Sequence, residues 1–302
     1  MKILIAVLLG IATTTTFGQN SQTVDMRWKI GNKEKLRYST VMNVLDTSSI
    51  EMNLGGLFKA LSDSSKNSLN ESSHLFNKIN ESFNKQDYIT TLTNNGKGVI
   101  NIVMETKQKD TSQDSVKDTS NSKGLDLFKH MKVIQSMSDG VILRGSVYET
   151  GGIHSFWLKS GQKNLIALLF ELPAKPVAIG DKWSLDISFI GNDQNFDCDS
   201  SYKINEVTLA DVKKVSGETI AVLKYDIVEY VKGNFNSPSF LGNVGGQKET
   251  MMKFSHQGIA EFSVSKGRWV KYDGIMSLEA TGIMTANKKT KFTLIDEKYT
   301  SR

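Results

Sequence analysis

Four histidines (His74, His130, His154 and His256) and one cysteine, Cys198, are the side chains of this 302-residue chain best suited to nucleophilic or metal chemistry. No histidine stands at a metal-ligand spacing from another or from the cysteine, so the four read as structural or solvent-facing. Cys198 lies between Asp197 and Asp199. Negative charge beside a thiol raises its pKa and suppresses the thiolate, so Cys198 does not read as a nucleophile. There is no Gly-x-Ser-x-Gly elbow and no phosphate loop, and the glycines Gly242, Gly245 and Gly246 lack the dinucleotide spacing. Asp193, Asn195, Asp197 and Asp199 alternate in a way that opens like a calcium loop. Cys198 then replaces the required glycine and Ile204 the closing glutamate, so the run reads as a solvated acidic ladder. The sequence names no catalytic residue, no cofactor site and no metal site. A hydrolase is disfavoured, because no nucleophile–base pair is at hand.

The apolar side chains carry a different suggestion. Phe156 and Trp157 precede a segment, Asn164–Leu172, that is apolar nearly all round and includes Leu168 and Phe170. Pro173 disfavours helix at the residue before it, so a helix over this segment stops about there. Such a helix, laid on a curved sheet, can enclose an apolar cavity. Phe156, Trp157, Leu168 and Phe170 are therefore the candidate ligand-binding residues, the other reading being a core helix packed on the sheet. Eleven methionines add adaptable packing. The net charge of +5 comes from scattered lysines, with no basic run interleaved with aromatics, so nucleic acid is not expected as a partner.

Strands must position these residues. In Glu218–Val231, Ala221, Leu223, Tyr225 and Ile227 fall on one face and Lys224 and Asp226 on the other. Farther on, Ala260, Phe262 and Val264, then Met276, Leu278 and Ala280, alternate with Glu261, Ser263, Ser277 and Glu279. This period of two marks half-buried antiparallel strands. Turn signals divide them at Asn94-Asn95-Gly96, Ser138-Asp139-Gly140, Ser216-Gly217 and Lys266-Gly267. Between Gly55 and Lys85 a helical insert is expected, with capping-box spacing at Ser68–Glu71 and Leu69, Phe76, Ile79 and Phe83 on one face. Thr106–Gly124 is too polar to order itself and reads as a flexible loop. Gly233–Thr250 is a second loop.

Two halves follow from the order of elements. Ile30-Gly31-Asn32-Lys33 and Ile179-Gly180-Asp181-Lys182 each precede an alternating segment. Each is followed by a hairpin, at Tyr88–Lys107 and Tyr202–Lys232, and then by a second, at Val133–Tyr148 and Ile259–Met284. Two of the three prolines, Pro173 and Pro176, fall at the junction, where they hold an extended connector, and Trp183 is the expected first core anchor beyond it. The expected division is residues 1–18, 19–172 and 173–302. The fold class is mainly β with a few helices, α+β: a curved antiparallel sheet or open barrel from two related halves, with helices packed on one face.

Residues 1–18 have a charged start at Lys2, an apolar run from Ile3 to Ala12 and small residues up to Gly18. This is the layout of a secretory signal peptide cleaved after Gly18. Its apolar run is short of the roughly 20 residues that cross a bilayer, so the mature chain is not expected to span a membrane. One cysteine permits no internal disulfide, and a bacterial envelope, periplasmic or extracellular, is the natural setting. Pro173-Ala174-Lys175-Pro176-Val177-Ala178-Ile179-Gly180-Asp181-Lys182-Trp183, with Gly31–Tyr38 ahead of it and Gly258–Phe262 and Gly267-Arg268-Trp269 behind, resembles a domain-of-unknown-function family. That family comprises β-rich secreted and lipoprotein-type proteins of Gram-negative, Bacteroidetes-type bacteria. The insert at Gly55–Lys85 and the loop at Thr106–Gly124 depart from its pattern. The resemblance implies a β-rich envelope protein and no activity. The reading of the whole is a non-enzymatic exported protein that binds a lipid or acyl chain in a cavity of the sheet. The alternative is a structural module that docks another envelope protein.

Overall fold

The period-two alternation becomes a single antiparallel sheet. In a computed structural model, the described residues are 23–52, 85–107, 141–156, 160–190, 196–235, 248–282 and 284–297. They form eleven strands and one helix. The strands are β1 (Lys35–Met52), β2 (Lys85–Asn94), β3 (Val99–Thr106), β4 (Val141–Tyr148), β5 (Ile153–Phe156), β6 (Lys182–Trp183), β7 (Phe196–Val215), β8 (Glu218–Phe235), β9 (Lys248–Ser263), β10 (Arg268–Thr281) and β11 (Met284–Asp296). The helix, α1, spans Ser160–Phe170. The expected mainly-β, open antiparallel architecture is what the chain adopts, with one helix among the described residues. The expected signal peptide (1–18) and nearly all of the helical insert and the polar loop lie outside them.

The strand order is β5-β4-β3-β2-β1-β11-β10-β9-β8-β7-β6. The chain starts in the middle, meanders outward to β5, crosses through α1 to the opposite edge, and meanders back until β11 pairs with β1. Hairpins β2–β3 and β7–β8 match the expected first hairpins of the two halves. Of the expected second hairpin of the first half, Val133–Tyr148, residues 133–140 lie outside the described residues. Tyr148 ends β4, which pairs with β3 on one side and with the later β5 on the other.

One face of the sheet is the inner face. Ala221, Leu223, Tyr225 and Ile227 of β8 are buried there, as are Ala260 and Phe262 of β9, Tyr272 of β10 and Phe292 and Leu294 of β11. α1 lies against this face. A Cβ on Gly145 of β4 would meet Ile166 Cδ1 at 2.3 Å, so only glycine lets the helix approach this closely. Residues 24–30 also line the inner side, with Val24, Met26, Trp28 and Ile30 buried and Asp25, Arg27 and Lys29 exposed. Their backbone bonds to Val177, Glu149 and Gly267 fix them at the end of the sheet that carries the tight turns of β2–β3, β4–β5, β7–β8 and β9–β10.

The proline connector is where the helix end is solved. A helix leaves its last carbonyls without intrahelical donors. Glu171 N donates to Ala167 O at 3.2 Å, but the next donor Leu169 O needs would come from residue 173, a proline without an N–H. Two buried indoles supply what is missing: Trp269 Nε1 donates to Leu169 O at 2.7 Å and Trp28 Nε1 to Phe170 O at 3.0 Å. The same rings pack edge-on with Phe262.

The chain makes the same kind of turn ahead of β1 and ahead of β6. Glu34 N donates to Gly31 O and Gly31 N to the Glu34 carboxylate; Asp181 N donates to Ala178 O and Ala178 N to the Asp181 carboxylate. The third residue has positive φ in both, +71° at Lys33 and +92° at Gly180. The two turns are offset by two residues from the alignment of the Ile-Gly motifs. The alternating strand expected after Gly180 is reduced to the two residues of β6. Trp183 is partly buried against the core.

Candidate functional site on the inner face

Cross-strand register sorts the inner face into lateral rows. Asn205, Ile227, His256, Met276, Thr290 and Val44 form one row across β7, β8, β9, β10, β11 and β1. Toward the tight-turn end the face is closed by the aromatic core and α1. In the opposite direction the next row is Lys203, Glu229, Phe254, Leu278 and Lys288, followed by Ser201, Val231, Met252, Ala280 and Ala286. Phe254, Leu278, Val231, Met252 and Lys288 are only half-buried. The face therefore changes from a filled core to a partly open apolar surface within one row.

His256 marks that boundary. It is fully buried, and its ring lies over paired Gly258 and Gly274, where a Cβ on Gly274 would meet His256 Cε1 at 2.5 Å. His256 Nε2 and Tyr272 Oη are 2.6 Å apart, and Tyr225 packs at 5.9 Å between ring centroids. Burial pushes the imidazole down to about 4, so the ring is neutral at physiological pH. Its Nδ1 is buried with no hydrogen-bond partner among the described residues.

Residues 184–190 border the open surface as a strap. Leu185 and Ile187 are buried, and Phe189 stacks on Phe254 with ring centroids 3.8 Å apart. The strap has no ladder with β7; side chains take the place of a neighbouring strand. Asn205 bonds both the N–H and the C=O of Leu185, and Asn164 of α1 does the same at Ser188. Lys203 Nζ donates to Ile187 O at 2.5 Å. The Glu229 carboxylate, 5 % exposed, accepts from the N–H groups of Phe189 and Ile190 at 2.7 and 2.9 Å and pairs with Lys203 at 2.7 Å. This explains why an alternating segment is not a strand: its donors and acceptors are satisfied without one.

The four candidate residues are not gathered on one open surface. Leu168 and Phe170 lie wholly inside the core, where Phe170 packs on Trp28 at 6.0 Å between ring centroids. Phe156 sits on edge strand β5 and is 44 % exposed. Trp157 lies outside the described residues. The row that the register does assemble (Phe254, Leu278 and their neighbours) shows in the sequence only as ordinary strand alternation. Its members sit on different strands and meet only through pairing.

The chemistry-bearing residues are dispersed. His154 Nδ1 lies 2.9 Å from Ser146 Oγ beside edge strand β5, far in sequence from His256; His74 and His130 lie outside the described residues. Cys198, Asp197 and Asp199 are exposed on β7, while Asp193 and Asn195 fall outside. Among the described residues, no group of three His, Cys, Asp or Glu is placed to hold a metal, and no helix is long and apolar enough to cross a membrane. No protein-family model, curated protein or solved structure matches the chain.

Proposed function

We propose that this is a non-enzymatic exported envelope protein that holds a lipid or acyl chain against the inner face of its curved sheet. One observation carries the reading: beyond His256 the inner face turns into a half-buried surface of Phe254, Leu278, Met252 and Val231, continuous with the core and bordered by Phe189. Methionine and leucine side chains fit irregular apolar chains because they have many low-energy shapes. The signal-peptide layout read from the sequence of residues 1–18 and the resemblance carried by residues 173–183 support the envelope setting.

A second reading, docking of another envelope protein, is favoured by the edge of β7. β6 pairs only with Val207 and Thr208, and residues 197–203 are exposed. Such an edge offers backbone donors and acceptors to an added strand.

Native mass spectrometry of protein purified from the periplasm, with solvent extraction of anything bound, separates the two. The ligand reading expects a lipid-sized adduct that disappears in Leu278→Glu while the circular dichroism spectrum is kept. A clean apo mass, with no uptake of a fluorescent fatty acid, overturns it and leaves the β7 edge as the surface to pursue.

A further inference from the structure

His256 ends the filled part of the inner face, and one of its ring nitrogens, Nδ1, is buried without a hydrogen-bond partner among the described residues. The bond between Nε2 and Tyr272 Oη, 2.6 Å long, decides which proton the ring carries. A neutral imidazole has a single N–H. If that proton sat on Nε2, it would go to Tyr272 Oη. The phenol proton would then need a second acceptor, which no described residue provides, and the Nδ1 lone pair would be unmet as well. With the phenol donating to Nε2, one group alone is left over: the proton on Nδ1. A buried donor with no acceptor costs stability and calls for a partner. The strands beside it offer none. The register places Ile227 of β8 and Met276 of β10 opposite His256, and neither carries an acceptor stronger than a thioether. Nδ1 adjoins the ring carbon that bears Cβ, so it stays at the level of this row, while Cε1 and Nε2 extend over Gly274 and Gly258 toward the closed end. The half-buried Phe254 and Leu278 begin one row away.

We infer that His256 Nδ1–H is the polar anchor of the ligand site and donates to the carbonyl oxygen of a fatty-acyl ester, whose chain lies over Phe254, Leu278 and Met252. This rests on the reading above and adds to it the group that the protein recognises. The approach to Nδ1 runs past Met276, which is half-buried and unbranched and so takes another rotamer at little cost. An uncharged donor set in an apolar wall suits an ester, which brings no charge with it. A free carboxylate would lose its hydration there without a cation in return.

The test uses the mature chain, an uncharged naphthylamine dye as reporter, and ligands of one chain length below their micelle concentrations. These are monotetradecanoylglycerol, its ether analogue tetradecylglycerol, which lacks only the carbonyl, and tetradecanoate. Wild-type protein is expected to prefer the ester over the ether by about fivefold, the worth of one net hydrogen bond, and to bind tetradecanoate more weakly than the ester. In His256→Phe the ester loses its advantage over the ether. Long-range nitrogen–proton spectra of wild-type protein with isotope-labelled histidine read the same site without a substitution. They should place the proton on Nδ1, with a resonance that moves on adding the ester and stays on adding the ether. Equal displacement by ester and ether, tetradecanoate bound more tightly than the ester, a preference that survives His256→Phe, or a proton found on Nε2 overturns the inference and leaves the apolar site standing. Failure of every ligand and of the dye overturns both.

Discussion

At the scale of single residues, His256 is the group whose chemistry couples most directly to stability. Its folded-state pKa of about 4 lies below the unfolded value of about 6.5. Above pH 6.5 both states are neutral at this ring and its full contribution is present. Between there and pH 4 the unfolded chain takes up a proton that the folded chain refuses, so stability falls as the pH falls, by about 3 kcal/mol across the whole window. About 1 kcal/mol of that loss is expected by pH 5.5. Urea midpoints at pH 7.5 and 5.5 measure it: His256→Gln keeps a partner for Tyr272 Oη, does not titrate, and should show the smaller decline. An equal decline in both proteins would place the acid sensitivity elsewhere. None of this was legible at the sequence level. A lone histidine in an alternating strand gives no sign that two glycines beside it, Gly258 and Gly274, have cleared the space its ring fills.

At the scale of elements, α1 is defined at its C-terminus by residues remote in sequence. Its position before Pro173 was readable, because a proline and an apolar run suffice to place a helix end. The donors that satisfy that end were not, since Trp28 and Trp269 reach it from opposite ends of the chain. Trp269→Phe removes the donor to Leu169 O and should destabilise the fold by about 1–3 kcal/mol, the cost of a buried carbonyl left unpaired. Adding Pro173→Ala returns an N–H at the helical position and should recover part of that loss in denaturant titrations. If the two losses simply add, the carbonyl is not the cause. The strap is the complementary lesson. Its alternation, Leu185, Ile187 and Phe189 inward, was visible, but alternation reports which side is buried and not what the backbone bonds to. The long strands β8, β9 and β10 were legible because there both answers coincide. The candidate site was less so: Phe156, Trp157, Leu168 and Phe170 stand out by local apolarity, whereas Phe254 and Leu278 become neighbours only through the register of β9 with β10.

At the scale of the whole molecule, the segments expected as two halves, 19–172 and 173–302, contribute to one core among the described residues. Leu168, Leu169 and Phe170 of the first half are buried in the same cluster as Phe262, Trp269 and Tyr272 of the second. Tyr38 Oη of β1 accepts from the backbone N–H of Trp269 at 3.0 Å. Residues 19–172 and 173–302, expressed separately, should therefore each lack the dispersed amide spectrum of a folded domain, and the spectrum should return when both are produced together. A dispersed spectrum from either half alone would mean that the seam is dispensable. That seam, β1 against β11, also sets an order in time. Among the described strands β1 is made first and β11 last, yet the two are neighbours, so one side of β1 waits until β11 has been made. Pairings this distant along the chain form slowly. A sheet ordered this way stays open along one side of β1 until β11 has been made and can pair with it.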